Sequence, residues 1–289
     1  MKSHTFTQEP VVDAIMARTQ YIESKNRKMA YRSIGEGKPL ILCNRFRGNL
    51  DSWDPGFLDA LAKKYKVIIF DWTGFGSSTG VPPTTMLEFA TDVKDLMEAL
   101  HLKKVSIIGW SFGGMVAQTV ITQFPDLVSH AILICTNPPG KNAYPMEEIF
   151  YETAWKPFND LEDEIVLFFE PASQMSREAA KRSHKRMAKR TVDVDVRIEE
   201  NLWNNYSKGV KEYIEDIYQA REKLSTTQIP ILIITADHEI CFPPQNWYAL
   251  TRYLPTAQLI VLPQAGHGAH HQYPKLTARY IANFIKHTK

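Results

Sequence analysis

Short, uninterrupted apolar runs alternate along the chain with longer segments in which apolar residues recur every three or four positions. The runs are Pro39–Cys43, Lys66–Asp71, Val105–Gly109, Ala131–Cys135, Ile231–Thr235 and Gln258–Leu262. None of them alternates apolar with polar residues, so each predicts a strand buried on both faces, the kind that builds a parallel sheet. Between them, Thr85–Leu102 places Leu87, Phe89, Val93, Met97 and Leu100 close to one helical face. Met115–Phe124 repeats the i, i+4 spacing through Val116, Val120 and Phe124, and Leu276–Ile285 repeats it through Ile281 and Ile285. These predict crossover helices. Gln20–Lys25 and Lys28–Ile34 read as a polar antiparallel pair turning at Lys25-Asn26, at one edge of the sheet. The predicted class is α/β, with a mostly parallel, doubly wound sheet.

One interval breaks the alternation. From about Gly140 to about Thr227 there is no strand-like run, and Met146–Trp155, Leu161–Phe169, Arg177–Arg190 and Arg197–Leu224 carry helical patterns rich in charge and aromatics. A structureless loop of that length is implausible in a compact domain. The expected organisation is therefore a first part of the core at 1–139, a helical insertion at 140–227 standing over one sheet edge, and a second part of the core at 228–289. Arg177, Lys181, Arg182, Lys185, Arg186, Lys189 and Arg190 form a basic stretch inside the insertion, expected to be a solvated helix face.

Composition narrows the class further. Lys+Arg 34 against Asp+Glu 32 leaves a net charge of +2, so no global field points to nucleic acid or an anionic membrane. The first twenty residues carry acidic and polar side chains where a secretory leader needs a continuous apolar stretch, and no run approaches the roughly 18 apolar residues of a span. Three widely spaced cysteines, Cys43, Cys135 and Cys241, each beside an apolar segment, fit buried thiols better than a disulfide framework. The expected location is cytoplasmic.

The candidate chemistry begins at Gly109-Trp110-Ser111-Phe112-Gly113-Gly114, directly after one predicted strand and before a predicted helix. A strand-to-helix turn this tight strains its middle residue, and side chains two before and two after would collide, which calls for Gly109 and Gly113. Such a turn lifts the Ser111 hydroxyl above the carboxyl edge of the sheet. It also aims the free N–H groups of the helix start at any developing negative charge.

Here the sequence resembles the α/β-hydrolase superfamily, in its serine-nucleophile branch with a helical cap, from about Gln20 to the C-terminus. Besides the Ser111 turn, Asp71-Trp72-Thr73-Gly74-Phe75-Gly76-Ser77-Ser78 resembles the family's Asp-x-Arg-Gly-x-Gly-x-Ser, with Thr73 where arginine is usual. Ala265-Gly266-His267-Gly268 resembles its histidine loop, and the insertion falls where the family has its cap. The resemblance implies an α/β-hydrolase fold and a Ser–His–acid hydrolase. The serine nucleophile argues against the dehalogenase and epoxide hydrolase subclasses, which carry aspartate there.

His267 is the candidate general base, since a serine hydroxyl attacks only when an imidazole takes its proton. It follows a strand on a glycine-flanked loop, in the chain order serine, acid, histidine. His270 and His271 raise a metal cluster with it, set aside because no cysteine or carboxylate at ligand spacing completes the set; they are expected at the surface or against the cap. For the acid, Thr235-Ala236-Asp237-His238-Glu239-Ile240-Cys241-Phe242-Pro243 resembles the family's Gly-x-x-Asp-x-x-x-Pro. In that register Glu239 is the acid, and Asp237 remains the alternative. The oxyanion donors implied are the backbone N–H groups of Phe46 and Phe112. Asn44-Arg45-Phe46-Arg47-Gly48 stands where the family has His-Gly, so Asn44 is expected to brace the loop and Arg45 to need a backbone that tolerates a side chain. Arg45 and Arg47 are open to two readings, binding a substrate carboxylate or pairing with acids such as Asp51 and Asp54.

The expected activity is cleavage of an ester, thioester, lactone or activated carbon–carbon bond of a small organic molecule through an acyl-enzyme, with no cofactor and no metal. A cofactor-independent lyase or perhydrolase and a non-catalytic small-ligand receptor are the alternatives. The expected partner is the small-molecule substrate, with neither nucleic acid nor membrane, and a homodimer is allowed. Phe150, Trp155, Phe168, Phe169 and Trp203 are aromatics of the insertion that the sequence leaves unplaced between pocket and surface.

Overall fold

Consecutive residues of the central strands feed two different cores, which is why their sequence shows no alternation. The computed structural model, which describes residues 13–288, places Ile41, Ile68, Ile107, Leu133 and Ile233 in the core on one face of the sheet. Their successors Leu42, Ile69, Ile108, Ile134 and Ile234 lie in the core on the other. A strand covered by helices on both faces gains from apolar side chains at every position.

In chain order the elements are β1 (Gln20–Ser24), β2 (Arg27–Ile34), β3 (Lys38–Cys43), α1 (Pro55–Ala62), β4 (Tyr65–Phe70), α2 (Met86–Ala99), β5 (Val105–Trp110), α3 (Phe112–Gln123) and β6 (Val128–Ile134). Then come α4 (Glu148–Ala154), α5 (Leu161–Phe168), α6 (Gln174–Met187), α7 (Trp203–Glu215), α8 (Ala220–Thr226), β7 (Ile231–Ala236), α9 (Gln245–Tyr248), β8 (Ala257–Leu262), α10 (Ala269–Gln272) and α11 (Pro274–His287). One eight-stranded sheet runs β1-β2-β4-β3-β5-β6-β7-β8. The pairs from β4 to β8 are parallel, and β1–β2 and β2–β4 are antiparallel. The edge hairpin turns on Lys25 and Asn26, both with positive φ (47° and 65°), as a two-residue turn matched to strand twist requires.

Helix starts are written locally. Asp54 caps α1 ahead of Pro55, and Thr85 and Glu88 cap α2 reciprocally. By contrast α3 begins at Ser111 with no side-chain cap. The strand order reverses beside β3, and Cys43 pairs with Gly109 across the β3–β5 ladder. The loops after β3 and β5 therefore leave the carboxyl edge side by side, at the crevice where open α/β sheets hold ligands.

Between β6 and β7 the chain is helical, α4 to α8. Arg197–Leu224, expected as one helical segment, is divided: α7 ends on Asp216 in the left-handed region (φ 51°), and α8 follows Gln219 (φ 55°). The Asp216 carboxylate accepts the N–H groups of Ala220 at 2.7 Å and Arg221 at 3.2 Å, so the residue that stops one helix starts the next. The basic stretch is not simply a solvated face. Arg186 pairs with fully buried Asp54 at 2.5 Å, and Arg190 reaches Asp51 at 3.2 Å, so two of its cations tie the helices to the loop after β3. Leu167, Trp203, Tyr206 and Tyr213 join the same core as α2 and α3.

Cys43, Cys135 and Cys241 are buried and free. No helix among the described residues is long and apolar enough to cross a membrane. The leader reading of residues 1–20 rests largely on 1–12, outside the described residues.

Candidate active site

Steric crowding explains the Ser111 turn. A Cβ on Gly109 would fall on the Gly113 carbonyl, and one on Gly113 would fall on the Cys43 carbonyl at the end of β3. Neither glycine has positive φ, so space and not conformation demands them. Ser111 itself sits at φ 58° and ψ −122°, a strained backbone fixed by its N–H bond to the Ile134 carbonyl at 2.9 Å. The side chain lies beneath the inserted helices with 6% of its surface accessible, less open than the turn alone suggested, and it lines a cavity of about 500 Å³.

His267 faces the same cavity. Its Nδ1 lies 2.7 Å from Glu239 Oε2, in a pair that is almost wholly buried. The other carboxylate oxygen accepts the N–H groups of Cys241 at 2.8 Å and Phe242 at 3.1 Å, so the β7 loop holds Glu239 in one orientation. An ionised carboxylate only accepts, which assigns the proton to Nδ1 and leaves the Nε2 lone pair as the basic site. Trp110, next to Ser111, donates its indole N–H to the His267 carbonyl at 2.8 Å, joining the β5 turn to the β8 loop. Among the described residues Ser111 Oγ makes no hydrogen bond; in unliganded sites such contacts are often long and tighten when substrate binds. Asp237, the alternative acid, points elsewhere. It is 39% exposed and bonds His238 at 2.7 Å.

The glycines around His267 answer to the inserted segment. A Cβ on Gly266 would stand 2.5 Å from the Phe169 carbonyl oxygen, and Gly268 donates its N–H to the Phe168 carbonyl at 2.7 Å. The insertion thus touches the imidazole loop through backbone. Phe150, Phe168 and Phe242 ring the imidazole at centroid distances of 5.1, 6.3 and 5.5 Å. Of the five unplaced aromatics, Phe150, Trp155 and Phe168 line the cavity. Trp203 packs behind it on Phe46 and Trp155, and Phe169 joins a separate small core with Ile165 and Ala179. Tyr206, another lining residue, went unremarked in the sequence because its helix reads as generically amphipathic.

Phe46 and Phe112 both line the cavity. Asn44 braces the Phe46 loop, accepting the Arg45 N–H at 2.9 Å and donating to the Asn49 carbonyl at 2.5 Å. Arg45 needs no unusual backbone; the left-handed residue of the loop is Arg47, at φ 59°. Thr73, standing where the family has arginine, accepts from Arg27 Nε at 2.7 Å, so β2 delivers a guanidinium to the same turn.

Sequence spacing put no carboxylate or thiol beside the histidines, but in space Cys135, Glu239 and His267 each offer a donor atom within 4.8 Å of the others. The group does not fit a metal. The 2.7 Å separation of Nδ1 and Oε2 is that of a hydrogen bond and falls short of the roughly 3.3 Å between two donors of a tetrahedral site with bonds of about 2 Å. Burial drives the Cys135 thiol well above its ordinary range.

His270 and His271 are buried, and of the two placements expected for them, surface or inserted segment, only the second is met, by His271. His270 is wholly buried against Trp110, Phe57 and Trp53, and neither ring nitrogen has a partner. His271 contacts Ser183 of α6 at 3.4 Å. Burial holds His270 neutral far below its usual range, helped by His271, His267 and Arg45. His271 is lowered from 6.5 to about 4, again chiefly by burial, with Arg45 and Arg186 lowering it and Asp54 opposing them. Both groups bind protons more weakly folded than unfolded. Below about pH 6.5 the unfolded chain takes up protons the folded chain refuses, so stability falls as pH falls; the His271 part of the loss levels below about pH 4, and the His270 part levels only below its own, strongly lowered value. His271 alone contributes about 3 kcal/mol to that loss. We expect Tm to drop across this range and His271→Gln to flatten the drop; a wild-type Tm that stays level across it refutes the account.

A family model described as the alpha/beta hydrolase fold matches residues 38–274. The proline iminopeptidase PfmaB of Pestalotiopsis fici is 25% identical over 285 residues, 92% of this chain and 99% of that protein. An alpha/beta hydrolase fold protein from Chitinophaga pinensis superposes with a TM-score of 0.85 at 27% identity, covering 95% of this chain and 99% of that one. The meta-cleavage product hydrolase CumD of Pseudomonas fluorescens IP01 superposes with a TM-score of 0.72 at 20% identity, over 92% and 97% of the two chains. With its mostly parallel eight-stranded sheet and the family pattern matched from β3 to the start of α11, the chain belongs to the alpha/beta hydrolase fold family.

Proposed function

We propose that the protein is a serine hydrolase that cleaves an ester, thioester, lactone or activated carbon–carbon bond of a small organic molecule, with Ser111 as nucleophile, His267 as base and Glu239 as the acid. The observation that carries this reading is the buried 2.7 Å Glu239–His267 pair facing the cavity that holds the strained Ser111. In the reaction Ser111 Oγ attacks the carbonyl carbon while His267 Nε2 takes the hydroxyl proton. The oxyanion is met by the Phe46 and Phe112 N–H groups, and the leaving group departs with the proton from Nε2. Water then attacks the acyl-enzyme by the same path and releases the acid and Ser111. In this proposal residues 140–227 are the cap that closes the pocket.

The names of PfmaB, an iminopeptidase, and CumD, a hydrolase, fit the hydrolysis proposed here. The test is steady release of p-nitrophenol from a panel of short-chain esters, together with labelling of Ser111 by a fluorophosphonate. Turnover and labelling are both expected. Labelling without turnover would make the protein a receptor, and neither would overturn the proposal. Products formed only when peroxide or an aldehyde is added would assign a perhydrolase or a lyase on the same residues.

A further inference from the structure

Three arginines that reach into the core have found acids. Arg32 pairs with Asp51, Arg186 with Asp54, and Arg27 with Asp92 and Asp95. These pairs also occupy the two acids, Asp51 and Asp54, that stood as candidate partners for the arginines of the Asn44–Gly48 loop. Arg47 is satisfied otherwise, by the carbonyls of Ala154, Lys156 and Pro157 and by the face of Trp203 at 3.9 Å. Arg45 is different. It has no carboxylate within salt-bridge distance among the described residues, and it lines the cavity that holds Ser111 and His267. Its guanidinium gives one hydrogen bond, from Nη1 to the Phe46 carbonyl at 2.7 Å, and lies 4.9 Å from the Phe168 ring and 5.3 Å from the Trp110 ring. Its Nε is buried without a partner.

A guanidinium has five N–H donors, and two ring faces and one carbonyl leave most of them unfilled. Arg45 is half-buried, and holding the inner part of such a group away from water is unfavourable unless something pairs with it. Burial and Arg47 lower Arg45 to about 10, still cationic at neutral pH. Of the other charged side chains on the cavity wall, Lys141 is exposed, and Lys211 and Glu215 are exposed and pair with each other at 3.9 Å. The inner wall of the pocket is thus positive, from Arg47, whose donors are taken by three carbonyls, and from Arg45, whose donors are mostly open, beside phenylalanine, leucine and methionine side chains.

We propose that Arg45 is a substrate-binding residue that receives a carboxylate, so that the preferred substrate is an acyl compound bearing a carboxylate a few bonds from the reacting carbonyl. Position supplies the distance: Arg45 directly precedes Phe46, whose N–H is the proposed oxyanion donor, so anion and reacting carbonyl are held by neighbouring residues of one loop. A carboxylate can take two N–H donors of a guanidinium side by side, which a neutral chain of the same length cannot. The kinetic side of this inference rests on the serine-hydrolase reading; its binding side does not.

The test compares p-nitrophenyl hemisuccinate, hemiglutarate and hemiadipate with neutral p-nitrophenyl esters of equal acyl length. The wild-type enzyme is expected to favour the best anionic ester by about tenfold or more in kcat/KM, mostly through KM. Arg45→Met should remove that preference, and Arg45→Lys should keep part of it. A wild-type ratio at or below one for all three chain lengths, or a ratio unchanged in Arg45→Met, overturns the proposal. If Arg45→Met fails to fold, the wild-type ratio and Arg45→Lys still decide. Calorimetric titration of glutarate into Ser111→Ala protein reads binding without turnover. About tenfold weaker binding is expected on adding Arg45→Met or, should that double variant not fold, clear weakening on adding Arg45→Lys; equal binding overturns the assignment. Should wild-type enzyme turn over no ester, or Ser111→Ala keep its activity, the hydrolase reading fails while the titration still judges Arg45.

Discussion

Replacing Ser111 by alanine is expected to lower kcat for ester substrates by about 10⁶, the scale on which loss of a serine nucleophile removes a whole catalytic unit. Stability should hardly move. The hydroxyl makes no hydrogen bond among the described residues, and alanine keeps a Cβ at φ 58°, so the backbone strain stays and only an oxygen is lost. Measured together, turnover and Tm separate chemistry from folding: activity should vanish while Tm stays within the range of an ordinary surface substitution, about 0.5 kcal/mol in stability. Full esterase activity in Ser111→Ala would refute the assignment of the nucleophile.

The second large effect concerns Glu239. In Glu239→Gln the side-chain oxygen is expected to keep the N–H groups of Cys241 and Phe242, because those two donors have nowhere else to go. That turns the amide NH₂ toward His267 Nδ1, where the carboxylate accepted at 2.7 Å. Two donors cannot share that contact, so the imidazole moves its proton to Nε2 and can no longer take one from Ser111. The expected loss in kcat is about 10⁴, the size seen when a triad acid becomes an amide with geometry intact. Asp237→Asn should cost far less, since that carboxylate is partly exposed and bonds His238. The reverse ranking, with both variants folded, would move the acid to Asp237. Slight and equal effects would remove the carboxylate from the mechanism.

What could be read in the chain depended on how locally each feature is encoded. The strands after β2 follow from runs such as Ile231–Thr235, because burial on both faces demands apolar side chains from neighbours along the same few residues. The Ser111 turn is likewise local: its glycines lie two residues either side and answer to collisions within the turn and with the adjacent strand. The order Ser111, Glu239, His267 follows from placing those turns after β5, β7 and β8. The choice of Glu239 was legible only in part, through a register resemblance anchored on Pro243.

Tertiary structure decided what depends on groups far apart in sequence. Glu239 meets His267 across 28 residues only because the loops after β7 and β8 converge and two backbone N–H groups hold the carboxylate in place. His270 was expected at the surface or against the inserted helices because a polar residue on a loop is usually solvated; the rings of Trp53, Phe57 and Trp110, drawn from two distant segments, close over it. The basic stretch of α6 looked uniform in sequence, and only docking against Asp51 and Asp54 distinguished its tethering arginines from its solvated ones. The same docking left Arg45 with no acid to pair with, a property that no window of sequence contains. Periodicity reports how much water each side chain meets. The partner of a buried charge is set by which loops the folded sheet brings together.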